Sequence, residues 1–124
     1  MEPVDEYMQA SVLTASPQRL HLMVVDNALR HSRRASLALE EGRLDDAHSQ
    51  FSRAREFVAE LLTGLRSDQA PELVGQVQEY FDRVLKALRF ADQQQDRTAA
   101  DFAIELLEGY RKTWIELTTG AASV

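Results

Sequence analysis

Residues 44–65 carry apolar side chains at Leu44, Ala47, Phe51, Ala54, Val58, Leu61 and Leu65, a 3-4-3-4-3-4 spacing without a break. That spacing puts three heptads on one stripe of an α-helix. Such a stripe has to be buried against another element, so the segment cannot stand alone. The following segment repeats the rhythm with Val74, Val77, Phe81, Val84, Leu88 and Ala91, and the last one has Ala103, Leu107, Tyr110, Trp114 and Leu117. No period-2 strand pattern competes. Helices are expected over about 17–41, 44–65, 71–91 and 97–118, with links of about 3 to 6 residues. Links so short exclude a crossover, so consecutive helices are antiparallel neighbours. The expected fold is all-α, an up-down-up-down four-helix bundle, with a leader at 1–15, a tail at 119–124 and one domain over 1–124.

The start of the first helix is marked twice. Ser16 can cap the first turn with its hydroxyl, and Pro17 fits the first helical position, where its missing N–H costs nothing. Gly42 is placed to end that helix. Between them, Leu20, Leu22, Met23, Val24, Val25, Ala28 and Leu29 spread around most of the cylinder, whereas a bundle helix buries about three positions in seven. Consecutive apolar residues leave open which of these face inward. The leader has apolar handles of its own in Tyr7, Met8, Val12 and Leu13. Surplus apolar surface of this kind suits a partner helix lying in a groove, or self-association.

Composition narrows the function classes. A chain of 124 residues with 44% hydrophobic and 27% charged residues can bury a core without staples. There is no cysteine, which excludes disulfides and thiolate metal sites. A net charge of −6 argues against nucleic acid, whose phosphates need a concentrated basic surface. No apolar run exceeds four residues, so no membrane insertion is expected. The N-terminal MEPVDEYMQAS has no apolar core for a secretory signal, and a cytoplasmic location is expected.

Candidate chemistry is sparse. A di-metal bundle needs Glu-x-x-His pairs, and the nearest arrangement is Asp45-x-x-His48 in a first turn, where the helix dipole favours acids anyway. No nucleophile elbow or phosphate loop is present. No cofactor, metal or catalytic residue is expected. The alternative function is a histidine phosphotransfer bundle using His31, with Arg33 and Arg34 nearby to hold a phosphoryl group. The glycine such a motif uses to admit the donor is replaced by Ala35. The simpler reading of Arg30, Arg33 and Arg34 is a solvated face, with Asp26 pairing Arg30 at i,i+4.

The run Tyr7-x-Gln9-x-Ser11-Val12-x-Thr14-Ala15-Ser16-Pro17-x-x-Leu20, followed by Leu22-Met23, resembles the N-terminal signature of the flagellar secretion chaperone FliS family. Arg53-Ala54, Tyr80-Phe81, Leu85-x-x-Leu88 and Tyr110-Arg111-x-x-Trp114 extend the likeness over nearly the whole chain. Val25 and Asn27 depart from it, standing where an aromatic residue and a glycine are frequent. The resemblance implies a non-enzymatic cytoplasmic chaperone for type III flagellar export. Its partner would be the C-terminal helical segment of flagellin, held in apolar grooves so that it does not polymerise early. The leader would cover part of the empty groove, with Tyr7 as a plug. The residues expected to meet the partner or form the cap are Tyr7, Val12, Leu20, Met23, Val24 and Asn27. Export-gate components or a co-chaperone are further candidate partners, and the expected state is a monomer or weak homodimer.

Overall fold

The computed structural model of the chain describes residues 16–65 and 71–119. Within them run four helices: α1 (Pro17–Glu40), α2 (Leu44–Thr63), α3 (Pro71–Gln94) and α4 (Arg97–Thr118). Each packs along two neighbours, α1 on α2 and α4, α3 on α2 and α4. This is the all-α four-helix bundle the heptads require.

Local chemistry explains the boundaries. Ser16 sits in extended backbone and its hydroxyl accepts a bond from the Arg19 N–H at 3.2 Å, with Pro17 following at the first helical position. At the other end of α1, Gly42 has φ +72°, a left-handed conformation that costs glycine little. The Gly42 N–H reaches the Leu39 carbonyl and the Arg43 N–H the Ala38 carbonyl, which is the Schellman pair of bonds that satisfies orphan carbonyls. Glu41 is therefore the cap rather than the last helical residue. Helix α2 ends at Thr63, two residues before the end of its apolar stripe, with Gly64 as its cap in right-handed backbone and Leu65 outside. Helix α3 continues to Gln94, three residues past Ala91. Nothing in Asp92-Gln93-Gln94 breaks a helix, and the turn comes only at Gln95, whose φ is +52°. The Asp96 N–H then bonds the Ala91 carbonyl at 3.0 Å, and the Asp96 side chain caps α4 through the Ala99 N–H at 3.1 Å.

The core follows the predicted stripes except at two outer positions, Leu44 at the start of α2 and Leu117 at the end of α4, which are 45% and 64% exposed because they lie at helix ends. Ala47, Phe51, Ala54 and Val58 of α2, Phe81, Val84, Leu88 and Ala91 of α3, and Ala103 and Leu107 of α4 are all buried. From α1 come Val25, Ala28, Leu29, Ala35 and Ala38. The packing is uneven along the rod. Where α1 runs into α2 and α3 into α4, the core is built of Ala35, Ala38, Ala47, Ala91, Ala100 and Ala103, so backbones approach closely. At the opposite end the same stripes carry Leu65, Val74, Val77, Tyr110 and Trp114, none of them fully buried. Among the described residues, the heptads run past the point where the bundle closes.

Candidate functional site

The unclosed end is a furrow of about 510 Å³ reached by all four helices. Leu20, His21 and Val24 come from α1, Leu61 from α2 with Gly64 and Leu65 just beyond it, Leu73, Val74 and Val77 from α3, and Tyr110 and Trp114 from α4. Its lining is apolar and aromatic apart from Glu60 and the polar atoms of the rings. Leu73 stands at the rim, 60% exposed, and continues the apolar lining outward.

The aromatic wall is held by hydrogen bonds rather than by burial alone. The His21 ring lies 4.2 Å from that of Trp114, and its Nε2 is 2.6 Å from Tyr110 Oη. Burial pushes the His21 imidazole below its ordinary value of 6.5 and the Tyr110 phenol up to about 12. At neutral pH both are therefore uncharged, and a short neutral hydrogen bond joins the phenol to the imidazole nitrogen. Trp114 Nε1 donates to the Gln18 carbonyl at 3.1 Å, and the Tyr110 ring packs edge-on to Phe81 at 4.7 Å. Next to Phe81, Tyr80 donates to the Leu106 carbonyl at 2.6 Å. The rings are thereby fixed in orientation, and the furrow has a rigid wall without charge.

Of the residues expected to meet a partner, Leu20 and Val24 line the furrow. Met23 and Asn27 are half-buried on α1 but are not among its lining residues. Asn27 instead donates to the Met23 carbonyl at 3.0 Å and accepts from Arg30 at 2.6 Å. Tyr7 and Val12 lie outside the described residues. Part of the surplus on α1 is ordinary core, since Val25, Ala28 and Leu29 are buried. Sequence reasoning did not single out His21, Val74, Val77, Tyr110 and Trp114 as one site. The available signal was that every stripe keeps large apolar or aromatic residues at this one end.

Other candidates fall away. His31 is only 8% exposed, its Nδ1 lies 2.6 Å from Gln50 Oε1 and its ring stacks on Phe57, so it is not the exposed histidine that phosphotransfer needs. His48 pairs with Asp92, which also accepts from Arg55 at 2.9 Å, and Asp45 takes no part. Among the described residues no group of three or more His, Cys, Asp or Glu could hold a metal ion, and no helix is long and apolar enough to cross a membrane. Asp26 does not pair with Arg30 as the i,i+4 spacing suggested. It bonds Arg111 of α4 at 2.5 Å, while Arg30 donates to Asn27 instead.

No curated protein sequence matches the chain closely enough to count as a relative. The family model described as "Flagellar protein FliS" matches residues 1–121, a span that takes in all four helices. With the bundle, the furrow and that match in agreement, the chain belongs to the FliS family of flagellar proteins.

Proposed function

We propose that this chain binds the C-terminal helical segment of flagellin in the furrow at the open end of its bundle, and so keeps the subunit unpolymerised and competent for type III export. Membership in the FliS family implies a flagellar export chaperone for flagellin, and FliS is a chaperone family rather than an enzyme family. The observation that carries the finer reading is the furrow, a concave apolar surface walled by oriented rings. A disordered tail that folds on binding loses on the order of 2–5 kcal/mol to ordering. Only a broad apolar contact with aromatic anchors offsets that. Leu20 and Val24 contribute from α1, Val74 and Val77 from α3, and Tyr110 and Trp114 from α4. Tyr7 and Val12 of the leader serve as the cap over the empty furrow, and the chain works in the cytoplasm as one domain over residues 1–124.

The test is titration with the C-terminal segment of the flagellin made by the same cell, followed by circular dichroism. Binding should raise helicity above the sum of the separate components, and Val24→Ala and Val77→Ala should weaken it. No gain in helicity and no heat of binding would overturn the reading.

A further inference from the structure

A second apolar surface lies on the outer side of the seam between α3 and α4, nearer the alanine-built end than the furrow. The seam is fixed by Tyr80, which donates to the Leu106 carbonyl at 2.6 Å and whose Oη lies 3.5 Å from where a Cβ on Gly109 would stand. Helical spacing carries a stripe away from each side of that contact. On α3, Tyr80, Arg83, Ala87 and Phe90 follow at 3-4-3 intervals. On α4, Ala99, Phe102, Leu106 and Gly109 do the same, and every one of these positions comes one residue before a position of the core-facing stripe. Arg83 is their only charged member. Phe90 is 52% and Phe102 43% exposed, and they are the only exposed aromatic side chains among the described residues. Ala87 and Ala99, both half-buried, leave hollows between the rings.

We propose that this face binds a second copy of the chain about a two-fold axis running along the seam. Such an axis lays α3 of one protomer over α4 of the other at the same height. Counted from the Tyr80–Leu106 bond, Phe90 is level with about residues 96–99 and Phe102 with about residues 84–87. Phe90 therefore meets the hollow at Ala99 of the other protomer and Phe102 the hollow at Ala87, so the surface is its own complement. Charge selects the same pairing. Arg83 and Lys86 stand on the α3 side of the face and Glu105 on the α4 side, and none of the three has an ion-pair partner among the described residues. Arg83 is level with Glu105, so each meets its opposite across the two-fold. An axis across the helices would instead set α3 on α3 and cation on cation. Of the other charges on this side, Glu79 is level with the uncharged Gly109 of the other protomer, and Glu72 and Glu116 lie about 18 Å or more beyond the rings, toward the furrow end. Four half-exposed rings supply on the order of 400 Å², a contact of the small, transient class.

The experiment is sedimentation equilibrium of the full chain from about 5 µM to about 500 µM, the range in which a weak dimer forms. The weight-average mass should climb from the 14.0 kDa of one protomer toward twice that value. Phe90→Ser/Phe102→Ser, which removes only exposed rings, should hold the mass at one protomer while circular dichroism shows the helices intact. Arg83→Glu and Glu105→Arg should each weaken association at least about fivefold, and the two combined should recover it. A mass fixed at one protomer at every concentration (the face then belonging to a foreign partner), association that survives the double serine variant, or a charge exchange without recovery would each overturn the proposal. Flagellin is absent from the assay, so its outcome is separate from that of the chaperone reading.

Discussion

Core and furrow are continuous in this bundle, and substitution should separate them. Phe81 is fully buried and packs edge-on against Tyr110 directly beneath the furrow wall. Truncating it to alanine removes a whole ring from a site with no room to collapse, because Val84 and Leu88 beside it are themselves buried. The expected cost is about 3–5 kcal/mol. Val24 lines the furrow and is only half-buried. At ~0.8 kcal/mol per buried methylene, halved for its exposure, Val24→Ala should cost about 1 kcal/mol of fold stability. The order should reverse for partner binding. Val24→Ala is expected to lower affinity for the flagellin C-terminal segment by at least about fivefold, equivalent to about 1 kcal/mol. Urea unfolding followed by circular dichroism gives the first quantity and calorimetric titration of the folded protein the second. If both substitutions destabilise the fold equally, or if Val24→Ala leaves affinity unchanged, the furrow is merely loosely packed core and the reasoning fails.

Other consequences are local. Gln95→Gly should stabilise the fold by up to about 1 kcal/mol, because it relieves a left-handed residue that is not glycine, whereas Gly42→Ala, with open space around its Cβ position but φ +72°, should destabilise by about 1 kcal/mol; urea midpoints test both. Ser16→Ala removes the hydroxyl that caps α1 and should cost about 1 kcal/mol in the same assay. The imidazoles of His21 and His31 are both pushed below 6.5, chiefly by burial. The unfolded chain therefore takes up protons that the folded one resists. Their contribution is complete above about 6.5 and is lost as pH falls through the lower folded values. His21→Gln/His31→Gln should flatten the decline in stability between about pH 7 and 5, and an unchanged slope would show that neither imidazole is shielded.

The fold is readable because heptads, caps and turns agree. Spacing alone puts Phe51, Val58, Phe81, Val84 and Leu88 on buried stripes, and each is buried. Gly42 announces its turn because glycine marks left-handed backbone. Gln95 does not, since glutamine carries no such mark, and α3 therefore runs longer than its apolar pattern. The furrow is only half readable. The obstacle on α1 is an excess of apolar residues rather than a missing period. Leu22, Met23, Val24 and Val25 are consecutive, and only packing decides that Val25 is core and Val24 wall. The Asp26–Arg111 bond joins residues 85 positions apart, and local spacing suggested a nearer partner for Asp26.

The alanine-built end has a mechanical consequence. Both short turns, Glu41–Arg43 and Gln95–Asp96, lie there, so the chain is two hairpins whose bends sit together at the end away from the furrow. At the mouth the hairpins are tied to each other instead by the His21–Tyr110 and Trp114–Gln18 bonds between α1 and α4. The width of the mouth is therefore set by those side chains, and Trp114→Ala should loosen it without disturbing the bends.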